Sequence, residues 1–237
     1  MKVFIEVGYE RTRALAHLFD YPGVCGQGSD AQQALEDVPN ALNRFSLWLK
    51  RHGQRMRTGE THSGFLRRTQ PVYEIGEIMA CRVRDKRIVG PLFTPEAQPL
   101  DVANLEMGLQ WFDFTQDDIM DWIDRSTQSR QLQRIKTGTS ELSYQEMLVR
   151  VAQMDSWLTS RMYDDPTTAA NYNFLASHVR SYLNTTRSDL IGRFNALTPT
   201  ELAKVWTHEG EYWSARKVLR RAIFYRLDYL EILSRSR

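Results

Sequence analysis

The stretch at residues 213–233, WSARKVLRRAIFYRLDYLEIL, predicts one long helix that decides the fold of the second half of the chain. It contains no Gly or Pro, and Ser214 near its start is a favourable N-cap residue. Apolar and aromatic residues recur at steps of three and four, so that one face carries Val218, Ala222, Tyr225, Tyr229 and Ile232, widened by Leu219, Ile223, Leu230 and Leu233. The basic residues expected on the outer side are Arg216, Lys217, Arg220 and Arg226. A broad apolar face is typical of a helix inside a bundle.

Composition indicates an ordinary globular protein. The chain has 237 residues, of which 42% are hydrophobic and 25% charged, and its formal net charge of +2 is too small to indicate a nucleic-acid partner by itself. The two cysteines, Cys25 and Cys81, are too few for a disulfide framework or a cysteine-based zinc site. No apolar run approaches the roughly 20 residues of a membrane span, and the first residues are too charged for a signal peptide. We therefore expect a soluble cytoplasmic protein with reduced thiols.

Residues 1–97 predict a small α+β domain, a sheet with one face covered by a helix. Its elements are strands at 2–9, 14–19 and 24–28, a helix from 29–32 to about Gly53, and strand character at 72–83 and 87–93. Residues 54–70 predict a polar, basic loop, and Asp85-Lys86 predicts a turn. Three prolines, Pro91, Pro95 and Pro99, then indicate a linker.

Residues 98–237 predict an all-α four-helix bundle, which makes the whole chain α+β. The predicted helices are at 101–125, 144–162, about 172–197 and 213–233. Ser143-Tyr144-Gln145-Glu146 is a capping box that begins the second helix, and Thr198-Pro199 begins a short piece before the last one. Residues 126–140 and the sequence THEGEY at 207–212 are predicted to be loops.

The first domain resembles the HicB-like antitoxin domain. The residues that carry the resemblance are FDYPGVCGQGS at 19–29, a Pro-Gly turn and a glycine-rich strand, followed by Gln33-Ala34-Leu35 at the start of a helix. The resemblance covers residues 2–53 and implies a protein partner such as a toxin. No DNA-binding helical segment follows it, so nucleic acid is not expected as a partner. The alternative is that Pro22, Gly23, Gly26 and Gly28 serve only turns and close packing.

The second domain resembles the DinB/YfiT-like superfamily over residues 100–237. The resemblance is carried by SYQEMLVRVAQMDSWLTSRM at 143–162 and VWTHEGEYWSARKVLRR at 205–221. Members with intact sites hold a divalent metal on three histidines, one on the second helix and two, four residues apart, on the last. Those positions fall at Arg150, Tyr225 and Tyr229. Because arginine cannot ligate a metal and neutral phenols are poor ligands, the resemblance implies that the metal site is lost.

These three positions form the candidate ligand-binding site predicted from the sequence. Arg150 shares a stripe with Met147 and Met154, so we expect it to point into the bundle. An inward arginine needs acceptors, because burying an unpaired charge is costly. The candidate acceptors are Tyr225, Tyr229, Asp155 and Asp228. Three interpretations remain open: a structural polar cluster in the vacated site, an anion or small-ligand pocket, and an arginine that reaches solvent.

The remaining reactive residue types predict no metal and no cofactor. His178 is alone on its helix, and His208 with its neighbouring glutamates does not form the HExxH pattern of a zinc helix. Neither the second nor the last helix contains a histidine. Cys25 and Cys81 are expected to be small buried residues, because nothing in the sequence arranges a base beside them.

Three functions are compatible with these patterns. The first is a non-catalytic binding or regulatory protein, a DinB-like bundle without its metal, which could form a homodimer through its helices. The second is a metal-independent small-molecule-binding protein or transferase that uses a pocket at Arg150, Tyr225 and Tyr229. The third is toxin or nucleic-acid binding through the first domain and its basic residues, which are Lys50, Arg51, Arg55, Arg57, Arg67 and Arg68. A solvated basic loop explains those charges more simply, since no aromatic platform is interleaved with them.

Overall fold

The computed structural model describes residues 1–9, 13–56, 73–84, 87–137, 140–170 and 172–234. The chain forms two compact units, Met1–Pro95 and Glu96–Arg237, whose boundary lies two residues before the one expected from the sequence. The predicted basic loop beyond residue 56 and the predicted turn at Asp85-Lys86 lie outside the described residues. The α+β fold class is confirmed, with a mixed sheet and one helix first and a helical region after it.

The first unit is built on a four-stranded sheet in the order β3-β2-β1-β4. The strands are β1 at Lys2–Tyr9, β2 at Arg13–His17, β3 at Cys25–Gly28 and β4 at Glu74–Ala80. The first three are antiparallel, whereas β4 runs parallel to β1. Helix α1 at Ala31–Arg51 packs on β1, β2 and β3, and a short hairpin follows β4, formed by β5 at Arg82–Arg84 and β6 at Arg87–Val89.

Local sequence determines how α1 meets the sheet. Asp30 is the N-cap and accepts a hydrogen bond from Gln33 N at 2.9 Å. Gly26 lies directly beneath the helix, where a Cβ atom would be 2.2 Å from the carbonyl oxygen of Ala34 and 2.8 Å from Val38 N. Only glycine allows the two backbones to approach so closely. The glycine-rich third strand is therefore a packing requirement of this interface.

The second unit contains four long helices, α2 at Val102–Arg125, α4 at Tyr144–Ser160, α5 at Val179–Asn195 and α7 at Ala215–Ser234. Two short helices, α3 at Gln128–Gln131 and α6 at Pro199–Leu202, connect them. Helix α7 packs against α2 and α4, and α5 packs against α4 and, less extensively, α2. The predicted capping boxes at Ser143 and Thr198 are both present. None of the described helices is both long and apolar enough to cross a bilayer.

Two segments predicted to be loops are instead β-hairpins. Residues 126–140 contain α3 and strand β7 at Arg134–Thr137, which pairs with β8 at Ser140–Ser143. The THEGEY segment lies in a second hairpin, with β9 at Val205–His208 and β10 at Glu211–Ser214. Its turn uses Glu209 and Gly210, both with positive φ, of 52° and 81°. All four strands have only four residues, too few positions to show a clear alternation, which explains why the pattern did not reveal them.

Two helix boundaries also differ from the expectation. Helix α5 begins at Val179 instead of about residue 172, after a 3-10 turn at Ala176–His178. Helix α7 begins at Ala215, because Trp213 and Ser214 complete strand β10. The Ser214 hydroxyl nevertheless accepts a hydrogen bond from Lys217 N at 3.1 Å, so it stabilises the first turn as predicted.

Candidate functional site

Arg150 does not point into the bundle, so the expectation for this residue is wrong. Its side chain is exposed on α4, whereas Met147 and Val151 are buried at 0% and 2% exposure. At about 100° of rotation per residue, the buried face of α4 runs from Met147 through Val151 to Asp155 and Ala152, and Arg150 lies beyond its edge. The side chain at the centre of the buried face is Asp155, which is 1% exposed.

Tyr225 and Tyr229 lie at the margin of the interior of the helical unit. Both side chains are half-buried on α7. Tyr225 lies beside Phe224, with ring centroids 5.4 Å apart, and its ring is 6.0 Å from the guanidinium carbon of Arg221. Tyr229 packs against the apolar cluster formed by α2, α4 and α5. The inward Arg150 that the small-ligand pocket requires is therefore missing from this arrangement.

The basic residues of α7 are also placed differently from the expectation. Lys217, Arg220 and Arg226 were expected on the outer side of the helix, but they are 0%, 2% and 1% exposed. Arg221 is buried as well, and only Arg216 among these residues is half-buried. Buried cations require acceptors in the interior, and for Lys217, Arg220 and Arg226 these acceptors lie at two places along α7.

The first place is the centre of the helical unit, where Arg226 binds Asp155 of α4. The guanidinium Nε lies 3.2 Å from each carboxylate oxygen of Asp155, and Nη2 lies 2.5 Å from Oδ2. The remaining nitrogen, Nη1, donates to Gln116 Oε1 at 2.8 Å and to Thr115 Oγ1 at 3.5 Å, both on α2. Every guanidinium nitrogen of Arg226 thus has an acceptor.

This central network joins all four long helices. Gln116 also donates from Nε2 to Asn184 Oδ1 of α5 at 2.9 Å, which adds the fourth helix to the three already connected. The Arg226 guanidinium carbon lies 4.1 Å from the centroid of the Phe112 ring, a cation–π contact. Burial raises the pKa of Asp155, and the adjacent Arg226 charge opposes that shift. The network is a closed arrangement of buried polar groups, not an open ligand site.

The second place lies at the beginning of α7. Lys217 Nζ is 2.8 Å from Glu211 Oε1, donates to the carbonyl oxygen of Tyr212 at 2.9 Å and lies 4.3 Å from the Trp213 ring centroid. Arg220 Nε donates to Glu96 Oε1 at 2.8 Å, and both of these side chains are buried. Burial lowers the pKa of Lys217, although Glu211 and Glu96 act in the opposite direction.

The histidines supply no metal site in the part of the chain that the structure describes. No group of three or more His, Cys, Asp or Glu side chains there has the geometry to hold an ion. His208 is buried in β9, with Nε2 3.2 Å from the carbonyl oxygen of Arg161. Its pKa is lowered, first by burial and then by the Arg161 charge. His178 is the N-cap residue of α5 and makes no side-chain capping bond.

The first unit contains a polar cluster that sequence reasoning missed. Glu6 on β1 is 0% exposed, and its Oε1 accepts a hydrogen bond from the Cys81 thiol at 3.1 Å. Its other oxygen lies 3.5 Å from Nε2 of His17, which is also buried. One signal was available, since Glu6 shares its strand face with Phe4 and lies opposite Leu15 on β2, and both of these residues are apolar. Cys25, by contrast, is a buried small residue, as expected.

Comparison of the chain with protein-family models, with curated proteins and with solved structures finds no match. The HicB-like and DinB-like resemblances therefore rest on the quoted motifs alone. The central network of Arg226, Asp155, Gln116, Asn184 and Thr115 connects all four long helices of the helical unit. Its chemistry is that of a scaffold, because its charges are already paired with one another.

Proposed function

We propose that this chain is a non-catalytic binding or regulatory protein, in which a DinB-like helical unit holds its helices with buried ion pairs instead of a metal. The observation that carries the proposal is the central network, in which Arg226 of α7 binds both oxygens of Asp155 and reaches Gln116. In this proposal the network gives the helical unit a fixed interior, and recognition takes place on the outer surface.

The chemistry of the interior supports the absence of a catalytic metal. A metal site needs deprotonated carboxylates, thiolates or neutral imidazoles whose lone pairs are available. Asp155 is the carboxylate at the centre of the unit, and both of its oxygens are occupied by Arg226. A permanently charged guanidinium at that distance also repels a divalent cation. Arg150 lies outside, so it provides neither a ligand nor a counter-ion to this centre.

In this proposal the first unit supplies the surface that binds the partner. Its resemblance to the HicB-like domain favours a protein partner over a small molecule. The four-stranded sheet with α1 on one face provides a rigid platform for such a contact. The role of the helical unit in this proposal is then structural or regulatory, and the chain requires no reaction chemistry of its own.

Metal content is the measurement that tests this proposal. The full chain is incubated with nickel or zinc, desalted and examined by native mass spectrometry, with a chelator-treated sample as the control. We expect no retained metal and no difference in thermal unfolding between the two samples. Free metal at about 100 times the Kd of a single site would add about 2.7 kcal/mol to the free energy of unfolding. Metal binding would therefore be visible in both assays.

Variants decide the origin of any metal that is retained. One metal per chain that is lost in His208→Ala or Asp155→Asn would overturn the proposal and favour a metalloenzyme. His178→Ala is the matched control, because His178 lies at the beginning of α5 beside Ser177, with Ser177 Oγ 3.0 Å from its Nδ1. Metal that survives all three substitutions would have to be sought on other residues and would also contradict the proposal.

A further inference from the structure

Strand β4 and the start of the following hairpin present an unusual concentration of exposed apolar side chains. Ile75 is 46% exposed, Ile78 is 54% exposed and Val83 is 65% exposed, all within nine residues of sequence. In the described part of the sheet, β4 is a terminal strand whose one neighbour is β1. A terminal strand with exposed apolar side chains is a template for pairing with another strand.

The apolar row beneath α1 continues onto β4 without interruption. Gly26, Ala16, Ile5 and Ile78 are cross-strand partners in successive strands, so their side chains share one face of the sheet. Ala16 and Ile5 are buried at 0% and 1% exposure, and the row ends at the exposed Ile78. Helix α1 packs on β1, β2 and β3, so it leaves this last position open. An added strand would extend the buried row by one position.

The charges of this stretch indicate which strand would be added. The sequence of residues 74–84, EIGEIMACRVR, is acidic at its beginning and basic at its end. Glu74, Arg82 and Arg84 are all exposed. An antiparallel partner with the same sequence places its basic end opposite the acidic end of the first copy. Opposite charges across a strand pair are stabilising and like charges are destabilising, so the stretch is complementary to itself.

We propose that two copies of this chain pair through β4, antiparallel and about a two-fold axis at Ile78, and so join two sheets into one. In a symmetric antiparallel pair of residues the two-fold axis lies midway between the strands, between one residue and its own copy in the partner strand. An axis at Glu77 would oppose two carboxylates, whereas an axis at Ile78 opposes two apolar side chains. That register also brings Glu74 toward Arg82 of the second copy, the first residue of β5 just beyond the end of β4.

The irregularity of β4 is compatible with this register. The pairing of β4 with β1 shifts between Ile75 and Glu77, which makes Gly76 a bulge. Residues 77–80 follow the bulge and pair regularly with β1, so the regular part of the strand is centred close to Ile78. This proposal concerns the first unit alone and does not depend on the function proposed for the helical unit.

Sedimentation velocity over a concentration series tests the association. We expect the wild-type mass to rise from 27.7 kDa toward twice that value. Ile78→Lys should remain monomeric at every concentration, since an edge lysine prevents strand pairing. Wild-type protein that stays monomeric, or a dimer that Ile78→Lys leaves unchanged, would overturn the proposal. The second result would place the dimer contact elsewhere, for example on the helices.

Two further experiments test the register. Glu74→Arg and Arg82→Glu should each weaken the dimer by about tenfold, because each replaces two symmetric attractions with repulsions, and the double variant should restore it.

Ile78→Cys should form a disulfide-linked dimer on mild oxidation, because the two thiols would meet at the axis. The controls are Val83→Cys, at a position that is more exposed than Ile78 but off the axis, and the wild type with its native Cys25 and Cys81. A double variant that stays weak, or equal cross-linking of Val83→Cys, would contradict the register.

Discussion

The interface between α1 and the sheet in the first unit and the centre of the helical unit are filled in opposite ways. Beneath α1 the row of Ile5, Ala16 and Gly26 excludes water by shape alone, with the helix backbone directly above Gly26. At the centre of the helical unit, Arg226 and Asp155 are equally buried but are held by charge and hydrogen bonds. Both interiors are closed. The stability of the first depends on the fit of side-chain volumes, and that of the second on the pairing of opposite charges.

The difference determines how each interior responds to substitution. An apolar interface loses stability in proportion to the volume added or removed. A buried ion pair contributes little relative to apolar residues of the same size, but the loss of one partner leaves a charge without compensation. The two interiors should therefore respond differently to single and double substitutions. Amide hydrogen exchange resolved by peptide can follow both in the same molecule.

The largest effect is expected for Arg226→Met. The substitution keeps most of the side-chain volume but leaves the Asp155 carboxylate buried without its counter-ion, at a cost of about 3–5 kcal/mol in the free energy of unfolding. Exchange should accelerate in α2, α4, α5 and α7 and remain unchanged in β1, β2 and β3. A loss below about 1 kcal/mol would show that the pair is not the centre of this interior.

The double variant Arg226→Met/Asp155→Leu separates pairing from volume. It should recover more than half of the loss, because an apolar pair of similar size replaces both charges.

The stability deficit of the single variant Arg226→Met should also depend on pH. Burial already raises the pKa of Asp155, and removing Arg226 takes away the charge that lowers it. An acid whose folded pKa exceeds its unfolded value stabilises the fold at low pH and loses that contribution as the pH rises, so the deficit should shrink as the pH falls from 7 toward 4. No recovery and no pH dependence would together refute the ion-pair explanation.

A smaller effect, of about 1–3 kcal/mol, is expected for Gly26→Ala in the first unit. The added methyl group would lie 2.2 Å from the Ala34 carbonyl oxygen, so α1 or β3 must move. Exchange should accelerate in α1 and β3 only. Gly192→Ala is the matched control, since a Cβ there meets nothing within 4 Å and alanine stabilises a helix interior by about 0.5–1 kcal/mol. A harmless Gly26→Ala would mean that the close contact is not required.

Sequence patterns predicted the interface between α1 and the sheet well, because its close packing depends on residue types that recur at fixed positions in the sequence. The Pro22-Gly23 turn, the glycine-rich third strand and the α1 start are all present at the expected positions. The capping boxes at Ser143 and Thr198 were equally predictable, since they depend on residues three apart. The two hairpins of the helical unit were missed because four-residue strands give too few positions to show alternation.

The second interior was not predicted, because the basic residues of α7 were expected to face solvent, as charged residues usually do. Arg226 has Leu219, Ala222, Leu230 and Leu233 at the seven-, four-, four- and seven-residue spacings of one helix face. Asp155 has Val151, Ala152 and Leu158 at spacings of four, three and three residues, which also place them on its face of α4. Two opposite charges, each at the centre of an apolar face, form a signal for a buried pair. Neither helix alone shows which charge on another element will meet it.

The smallest effect is expected for Arg150→Met, the same chemical change as Arg226→Met at an exposed position on α4. Arg150 lies one turn after Glu146 and contributes to lowering its pKa, although the hydrogen bonds from Ser143 do so more strongly. An exposed pair at that spacing is worth about 0.3–0.5 kcal/mol and is screened by salt. The loss measured by urea unfolding should therefore stay below about 0.5 kcal/mol and vanish at high ionic strength. If Arg150→Met instead cost as much as Arg226→Met and accelerated exchange in α2 and α7, Arg150 would belong to the interior and would again be a candidate site residue together with Tyr225 and Tyr229.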